Sequence, residues 1–160
     1  MSGTILLIED TIREMRQRVE DLKERFPQYK IRAEINCEDG CKAIAEDSSI
    51  VAVISDNSMP LSDKDSITDL RSCALTVGTA VNQRNKERGE TIPFYVFSGE
   101  ISPTDRTELE NMGAYIANKK ESFDFYQLMD DLAQKLAQPR RLPVDHREPG
   151  TRGSGKAELG

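Results

Sequence analysis

The sequence is poor in the residues that most often carry catalysis and metal chemistry. It has no tryptophan, a single histidine (His146) and three cysteines, Cys37, Cys41 and Cys73. Cys37 and Cys41 lack a second ligand pair, so a structural zinc site is not expected. An odd number of cysteines without a visible export signal favours reduced thiols and a cytoplasmic location.

The chain also lacks the features that membranes and nucleic acids select. No stretch reaches the roughly 20 apolar residues of a membrane span, and the formal net charge is −6. We therefore expect neither a membrane segment nor a DNA-binding domain. A glycine-rich phosphate-binding loop, the usual sign of a nucleotide site, is missing as well.

Apolar patterns typical of strands and helices alternate along most of the chain. Short apolar runs predict strands, and stripes with a period near 3.6 predict helices. The predicted strands are residues 4–8, 30–35, 50–55, 92–97 and 115–117, and the predicted helices are residues 11–25, 40–46, 67–88, 104–112 and 122–136. Five successive β-α units predict a parallel sheet with helices on both faces.

Several helix ends carry local signals. Asp39 is predicted to cap the second helix, and residues 66–69 resemble a capping box that opens the third. Gly89 is expected to end that third helix. Its 22 or so residues would span about 33 Å, so we expect it, or the loop after it, to project beyond the sheet.

Residues 138–160 interrupt the alternation. They contain three prolines and four glycines and show no apolar periodicity. We therefore expect one domain, residues 1–137, followed by a flexible Pro/Gly/Arg-rich C-terminal tail over residues 138–160.

Acidic residues follow two of the predicted strands. Glu9 and Asp10 come directly after the first strand, and Asp56 follows the third. Because the carboxyl ends of parallel strands meet at one edge of a sheet, three carboxylates would share one crevice. Repulsion between them would be relieved by protonation or by a hard cation such as Mg²⁺. Taken alone, Glu9 and Asp10 are also compatible with a helix N-terminus.

The fourth and fifth strands end in residues that suit a phosphate. The fourth is followed by Ser98 and the fifth by Asn118, Lys119 and Lys120. A cation on the carboxylates, a lysine and a hydroxyl would together hold phosphoryl oxygens. In such a site a carboxylate can act as the nucleophile and form an aspartyl phosphate.

Over residues 4–137 the sequence resembles the receiver domain of two-component response regulators. The motifs that carry the resemblance are Ile5-Leu6-Leu7-Ile8-Glu9-Asp10, Glu38-Asp39-Gly40-Cys41-Lys42-Ala43-Ile44, Val53-Ile54-Ser55-Asp56-Asn57-Ser58-Met59-Pro60, Phe97-Ser98-Gly99-Glu100, and Met112-Gly113-Ala114 followed by Lys119. The resemblance implies a flavodoxin-like, doubly wound α/β fold with five parallel strands in the order 2-1-3-4-5.

The resemblance also implies a role for each site residue. Asp56 is the implied phospho-acceptor. Mg²⁺ is held by Glu9, Asp10 and Asp56, with the main-chain carbonyl of Ser58 as a further ligand. Ser98 is the implied switch hydroxyl, and Lys119 pairs with the phosphoryl group.

The sequence departs from the family pattern in four places. Lys64 stands where the family usually has glycine, and Lys120 where it usually has a cis proline. The spacing leaves Lys119 and Lys120 both open as the functional lysine; Lys119 is preferred because its register buries Ala117. The switch aromatic is displaced, with Ile116 at its position. The interval from Asp56 to Ser98 is long, and the extra length is assigned to helix 67–88.

The implied function is signal relay. A sensor histidine kinase or a phosphotransfer protein would phosphorylate the chain, which would then act on a downstream protein partner and not as an enzyme on a separate substrate. One alternative is a degenerate receiver that serves as a phosphorylation-independent interaction module. A small phosphohydrolase is disfavoured, because no histidine lies in the expected domain and no aspartate lies two residues after Asp56.

Overall fold

A computed structural model describes residues 3–59, 71–99, 101–120 and 122–138. Its strands are β1 (Thr4–Ile8), β2 (Lys30–Glu34), β3 (Ile50–Ser55), β4 (Ser58–Met59), β5 (Arg71–Ser72), β6 (Phe94–Ser98) and β7 (Tyr115–Asn118). Its helices are α1 (Ile12–Arg25), α2 (Cys37–Glu46), α3 (Cys73–Arg88), α4 (Pro103–Asn111) and α5 (Ser122–Ala137).

The principal sheet has five strands in the order β2-β1-β3-β6-β7, and all its neighbouring strands are parallel. The predicted order 2-1-3-4-5 is therefore confirmed, with β6 and β7 as its fourth and fifth strands. Strand β2 lies at an edge, as its alternating pattern indicated. Parallel pairing directs the carboxyl ends of all five strands to one edge of the sheet.

The alternation of side chains along the strands divides the core into two layers. Ile5, Leu7 and Tyr95 point to the layer that α1 and α5 cover, while Leu6 and Val96 point to the layer under α2, α3 and α4. Strands β1 and β3 are apolar on both faces because helices cover both, as buried parallel strands require.

The predicted helix over residues 67–88 is wrong at residues 71 and 72, and its first four residues lie outside the described part of the chain. Arg71 and Ser72 instead pair with Met59 and Ser58 as the antiparallel ladder β4–β5. The Cys73 amide donates to the carbonyl of Asn57 at 2.7 Å, a bond that an α-helix would direct four residues back. Helix α3 therefore has 16 residues, about 24 Å long, and the extra chain precedes it.

The predicted cap of the second helix is also wrong. Helix α2 begins at Cys37, and the side chain of Asn36 accepts a hydrogen bond from the Asp39 amide at 2.8 Å. Asp39 therefore lies in the first turn, where its negative charge interacts favourably with the helix dipole. Strand β6 begins two residues later than predicted, since Pro93 has no amide hydrogen for the ladder.

Two glycines end helices in the left-handed conformation. Gly113 has φ of 87°, and the amides of Gly113 and Ala114 donate to the carbonyls of Glu110 and Leu109. This is the Schellman arrangement, which favours glycine because it has no Cβ atom. Gly89, with φ of 64°, follows α3, so its predicted role is confirmed.

Some predictions fall outside the described residues: those on Lys64, on the capping box at residues 66–69 and on the tail beyond residue 138. The three cysteines are free thiols, and Cys37 and Cys73 are buried. Within the described part of the chain, none of the helices combines the length and the apolar character needed to cross a bilayer.

Candidate functional site

Three carboxylates meet at the carboxyl edge of the sheet. Strands β1 and β3 pair with Ile8 opposite Ser55, so the residues that follow them lie side by side. The Asp56 amide donates to the Ile8 carbonyl at 3.0 Å and fixes this register at the strand end. One oxygen from each of Glu9, Asp10 and Asp56 lies within 4.8 Å of the others.

Burial makes this cluster costly when it is fully charged. Glu9 is 2% exposed and Asp56 8%. Burial, followed by the charge of Asp56, raises the pKa of Glu9 to about 7. Burial also raises the pKa of Asp56, although Lys119 and the Asn57 amide lower it. The site therefore attracts either protons or cations.

Lys119 supplies a positive charge to the cluster. Its Nζ atom lies 2.8 Å from Glu9 Oε1, 3.2 Å from Asp56 Oδ2 and 2.7 Å from Glu14 Oε1. The Lys119 amide donates to the Ser98 carbonyl at 2.9 Å, which continues the β6–β7 pairing and aims the side chain at the cluster. Although burial opposes it, contacts with Glu14, Glu9 and Asp56 raise the pKa of Lys119.

Lys120 has a different position. It is exposed, and its amide donates to Asn118 Oδ1 at 2.9 Å. Its side chain passes Gly99, where a Cβ atom would lie 4.0 Å from the Lys120 Cε atom. Ala117 is buried, as the preferred register required. Of the two lysines, the structure places Lys119 among the carboxylates.

Two serines lie near the carboxyl ends of neighbouring strands: Ser98 is the last residue of β6, and Ser58 lies three residues beyond the end of β3. Ser98 is buried at the end of β6, the strand next to β3, and its carbonyl receives the Lys119 amide. Ser58 lies in β4, two residues after Asp56, opposite Ser72. The intervening Asn57 donates its amide to Asp56 Oδ1 at 2.7 Å and orients that carboxylate.

The helix-capping interpretation of the acidic pair is compatible with this geometry. Glu9 Oε2 accepts a hydrogen bond from the Thr11 amide at 3.2 Å, just before α1. Thr11, the N-cap residue, makes no capping bond with its own side chain. Glu9 thus satisfies a donor at the start of the helix while its other oxygen contacts Lys119.

Glu14 is the site residue that sequence reasoning missed. It lies in the first turn of α1, where an acidic residue is expected simply for its favourable interaction with the helix dipole. The available signal was its position one turn after Asp10, at the end of the helix nearest the acidic cluster. That position identifies Glu14 as a site residue only once the contact between Lys119 and α1 is known.

The donor set of the cluster fits a hard divalent cation. All three side chains offer carboxylate oxygens, which Mg²⁺, Ca²⁺ and Mn²⁺ prefer over softer metals. The raised pKa of Glu9 adds a physical reason for a cation to bind, because it would replace repulsion with attraction. Among the described residues, this is the one group of three such side chains with ligand atoms this close.

Comparison of sequences finds no relatives. No protein-family profile matches the chain, and no curated protein matches it.

Comparison of structures finds many chains with a similar fold. The signal receiver domain of a DNA-binding response regulator (merR) from Colwellia psychrerythraea 34H has a TM-score of 0.64 at 17% identity, covering 85% of this chain and 99% of that one. The non-phosphorylated HemR receiver domain from Leptospira biflexa has a TM-score of 0.64 at 15% identity, covering 87% and 99%.

The isolated receiver domain of RcsB from Salmonella enterica serovar Typhimurium, solved with the phosphomimetic BeF₃⁻, has a TM-score of 0.62 at 12% identity, covering 89% of this chain and 94% of that one. The chain therefore has the fold of response-regulator receiver domains. Identities this low establish the fold alone, so the function has to be argued from the site.

The structure places Ile116 and Tyr115 on opposite faces of the sheet. Ile116, at the position of the switch aromatic, pairs with Val96 and packs in the layer under α4. Tyr115 points to the opposite layer, where its ring lies 5.5 Å from that of Tyr95. An aromatic side chain at residue 115 is thus on the wrong face of the sheet to replace one at residue 116.

Proposed function

We propose that the chain is a response-regulator receiver that accepts a phosphoryl group on Asp56. The observation that supports this most is the convergence of Glu9, Asp10, Asp56 and Lys119 at the carboxyl edge of a receiver-type sheet. This edge is where ligands bind in open α/β sheets. Phosphoryl transfer depends mainly on positioning and charge neutralisation, both of which these residues can supply.

The chemical step assigned to Asp56 is nucleophilic. One carboxylate oxygen forms a bond to phosphorus while the bond from phosphorus to the donor nitrogen breaks, and that electron pair remains on the nitrogen. The Asn57 amide holds Oδ1 of Asp56 in place. Lys119 and the Ser98 hydroxyl are the proposed partners of the phosphoryl oxygens.

A divalent cation is the proposed cofactor. Glu9, Asp10 and Asp56, with the main-chain carbonyl of Ser58, would hold Mg²⁺, which supplies positive charge to phosphoryl oxygens when bound. The protein's own contribution is to keep these oxygens close together despite their repulsion. Phosphorylation and later hydrolysis are reactions of the chain on itself and not of an enzyme on a separate substrate.

The proposed setting is cytoplasmic signal relay. A sensor histidine kinase or a phosphotransfer protein would donate the phosphoryl group, and a downstream protein would bind the phosphorylated form. Phosphorylation would draw Ser98 inward and shift an existing equilibrium at the face formed by α4, β7 and α5. A ligand changes such an equilibrium only through different contacts in the two states.

A second candidate is an interaction module that works without phosphorylation. The observation in its favour is Ile116, which leaves no aromatic side chain on the α4 side of β7 among the described residues of that strand. Such a module would keep the fold while losing the response to phosphate. Retention of the acidic cluster and of Lys119 favours the phosphorylated receiver.

Intact-mass measurement tests the proposal directly. The full chain is incubated with a small-molecule phosphodonor, with and without Mg²⁺, beside Asp56→Asn. We expect a single phosphoryl adduct that requires Mg²⁺ and disappears in the variant. Asp130→Asn, which neutralises an exposed carboxylate of α5, is the matched control and should retain the adduct.

The absence of an adduct, also with a phosphorylated histidine kinase as donor, would favour the phosphorylation-independent module. An adduct that persists in Asp56→Asn would place the acceptor elsewhere. Turnover of a generic phosphomonoester would instead indicate a phosphohydrolase.

A further inference from the structure

Glu14 holds Lys119 from outside the acidic cluster. The contact between Lys119 Nζ and Glu14 Oε1, at 2.7 Å, is the shortest of the three that this ammonium makes. Glu14 is 41% exposed, whereas the Lys119 side chain is 17% exposed. Glu14 therefore lies at the solvent side of the lysine and is not one of the three clustered carboxylates.

The hydrogen-bond donors of Lys119 and the carboxylate oxygens of Glu9 and Asp56 are all in use. An ammonium group has three N–H donors, and Glu9, Asp56 and Glu14 provide three acceptors. Both oxygens of Glu9 and both of Asp56 already accept a hydrogen bond, from Lys119, the Thr11 amide or the Asn57 amide. A divalent cation on these oxygens would repel the ammonium beside them.

Binding of a cation thus requires Lys119 to loosen its contacts with Glu9 and Asp56. A half-buried ammonium without a partner is unfavourable. Glu14 offers a carboxylate that no cation in the cluster would occupy, so the lysine can keep one strong contact while it gives up the other two.

We propose that Glu14 is a positioning residue that retains Lys119 when a divalent cation binds to Glu9, Asp10 and Asp56. This inference rests on the proposed function, because it assumes that the cluster is a cation site. It deepens that function by assigning a role to a residue beyond the acceptor set. Without Glu14, the lysine competes more strongly with the cation for the same oxygens.

Calorimetric titration of the unphosphorylated full chain with Mg²⁺ tests the role without any phosphoryl transfer. We expect Glu14→Gln to weaken Mg²⁺ binding about three- to tenfold, because a partly exposed charged contact with the lysine is lost. The matched control is Glu24→Gln, which removes the same charge from an exposed position on α1, ten residues and about 15 Å further along the helix. Its affinity should equal that of the wild type.

The background variant Lys119→Met separates positioning from simple charge. If Glu14 acts through the lysine, Glu14→Gln has little effect on Mg²⁺ affinity once Lys119 is replaced. An equal loss in both backgrounds would show that Glu14 acts only by its charge, and would overturn the proposal. If Lys119→Met does not fold, Glu14→Asp makes the same distinction, because it keeps the charge but shortens the reach: unchanged affinity contradicts the positioning role.

The two proposals fail in different ways. If the wild type binds Mg²⁺ and Glu14→Gln binds it equally well, the role of Glu14 is wrong and the receiver function stands. If the wild type does not bind Mg²⁺ at millimolar concentration, the cation step of the proposed function is wrong, and the role of Glu14 falls with it.

Discussion

Two cations at opposite edges of the sheet, Arg84 fully buried and Lys119 half-buried, have partners that differ in kind. Lys119 lies at the carboxyl edge among carboxylates. Arg84, which is 2% exposed, lies at the amino edge, where β3 begins. Its guanidinium donates to the carbonyls of Ile44, Asp47, Ser48 and Ile50 and to the carboxylate of Glu90.

The difference separates a structural cation from the one that the proposed function uses. Arg84 donates to neutral main-chain oxygens in the last turn of α2, in the turn that follows it and at the start of β3, and the last carbonyls of a helix need such partners from outside it. The partners of Lys119 are anions that also attract protons and metal ions. The planar arginine side chain, with five N–H donors, suits binding to several main-chain oxygens. The flexible lysine side chain, with its charge on one atom, suits contacts with carboxylates.

Removal of Arg84 should have the largest effect on stability. We expect Arg84→Ala to lower the free energy of unfolding by roughly 3–5 kcal/mol, because several buried acceptors lose their donor. Denaturant unfolding monitored by circular dichroism measures this loss.

The matched control is Arg88→Ala, one turn further along α3. Arg88 also donates to a carbonyl of α2, that of Ala45 at 3.0 Å, but it is exposed. We expect it to cost less than about 1 kcal/mol. Equal losses for the two variants would contradict the structural role assigned to Arg84.

The second prediction concerns pH at the carboxyl edge. The pKa of Glu9 is raised to about 7, so the folded chain keeps a proton that the unfolded chain has released. This contribution to stability is complete below about pH 4.5 and is lost as the pH rises through 7. Between pH 4.5 and 8, without divalent cations, the stability of Glu9→Gln should rise by about 3 kcal/mol relative to that of the wild type.

Unfolding curves over that range provide the measurement, with exposed Glu24→Gln as control. The control should follow the wild type at every pH. A Glu9→Gln curve parallel to the wild-type curve would show that the Glu9 carboxylate is not destabilised by burial.

The third prediction completes the contrast between the two cations. Lys119→Met should lower the free energy of unfolding by only about 1–2 kcal/mol at pH 8, because the carboxylates can take up protons in its place. Its affinity for Mg²⁺ should increase, since the competing ammonium is gone. Denaturant unfolding with and without Mg²⁺ measures both effects. If Lys119→Met lowered the free energy of unfolding as much as Arg84→Ala, the contrast between the two cations would be wrong.

The parts of the fold that the sequence predicted best are those buried on both sides. Strands β1 and β3 appear as uninterrupted apolar runs, so their ends, and with them Glu9, Asp10 and Asp56, are placed within one residue. Pairing of parallel strands then brings these residues together without any further information.

Other features depend on tertiary contacts that leave no local pattern. The β4–β5 ladder has two residues in each strand, and Arg71 and Ser72 show no strand preference, so the predicted helix was extended through them. From the sequence alone, Glu14 and Arg84 are expected to be exposed side chains on helices, because charged residues usually face water. The main-chain partners of Arg84 lie 34 to 40 residues away along the chain, and Glu14 lies 105 residues from Lys119, so only the folded structure reveals these contacts.

The β4–β5 ladder also has a meaning for how the domain tolerates change. The ladder lies between the end of β3 and the start of α3, and beside it the Cys73 amide donates to the Asn57 carbonyl at 2.7 Å. These contacts hold the chain before residue 60 close to the chain after residue 70. Because the entropic cost of joining two fixed points rises only slowly with the number of residues between them, we expect changes in length between Met59 and Arg71 to leave Asp56 and α3 in place.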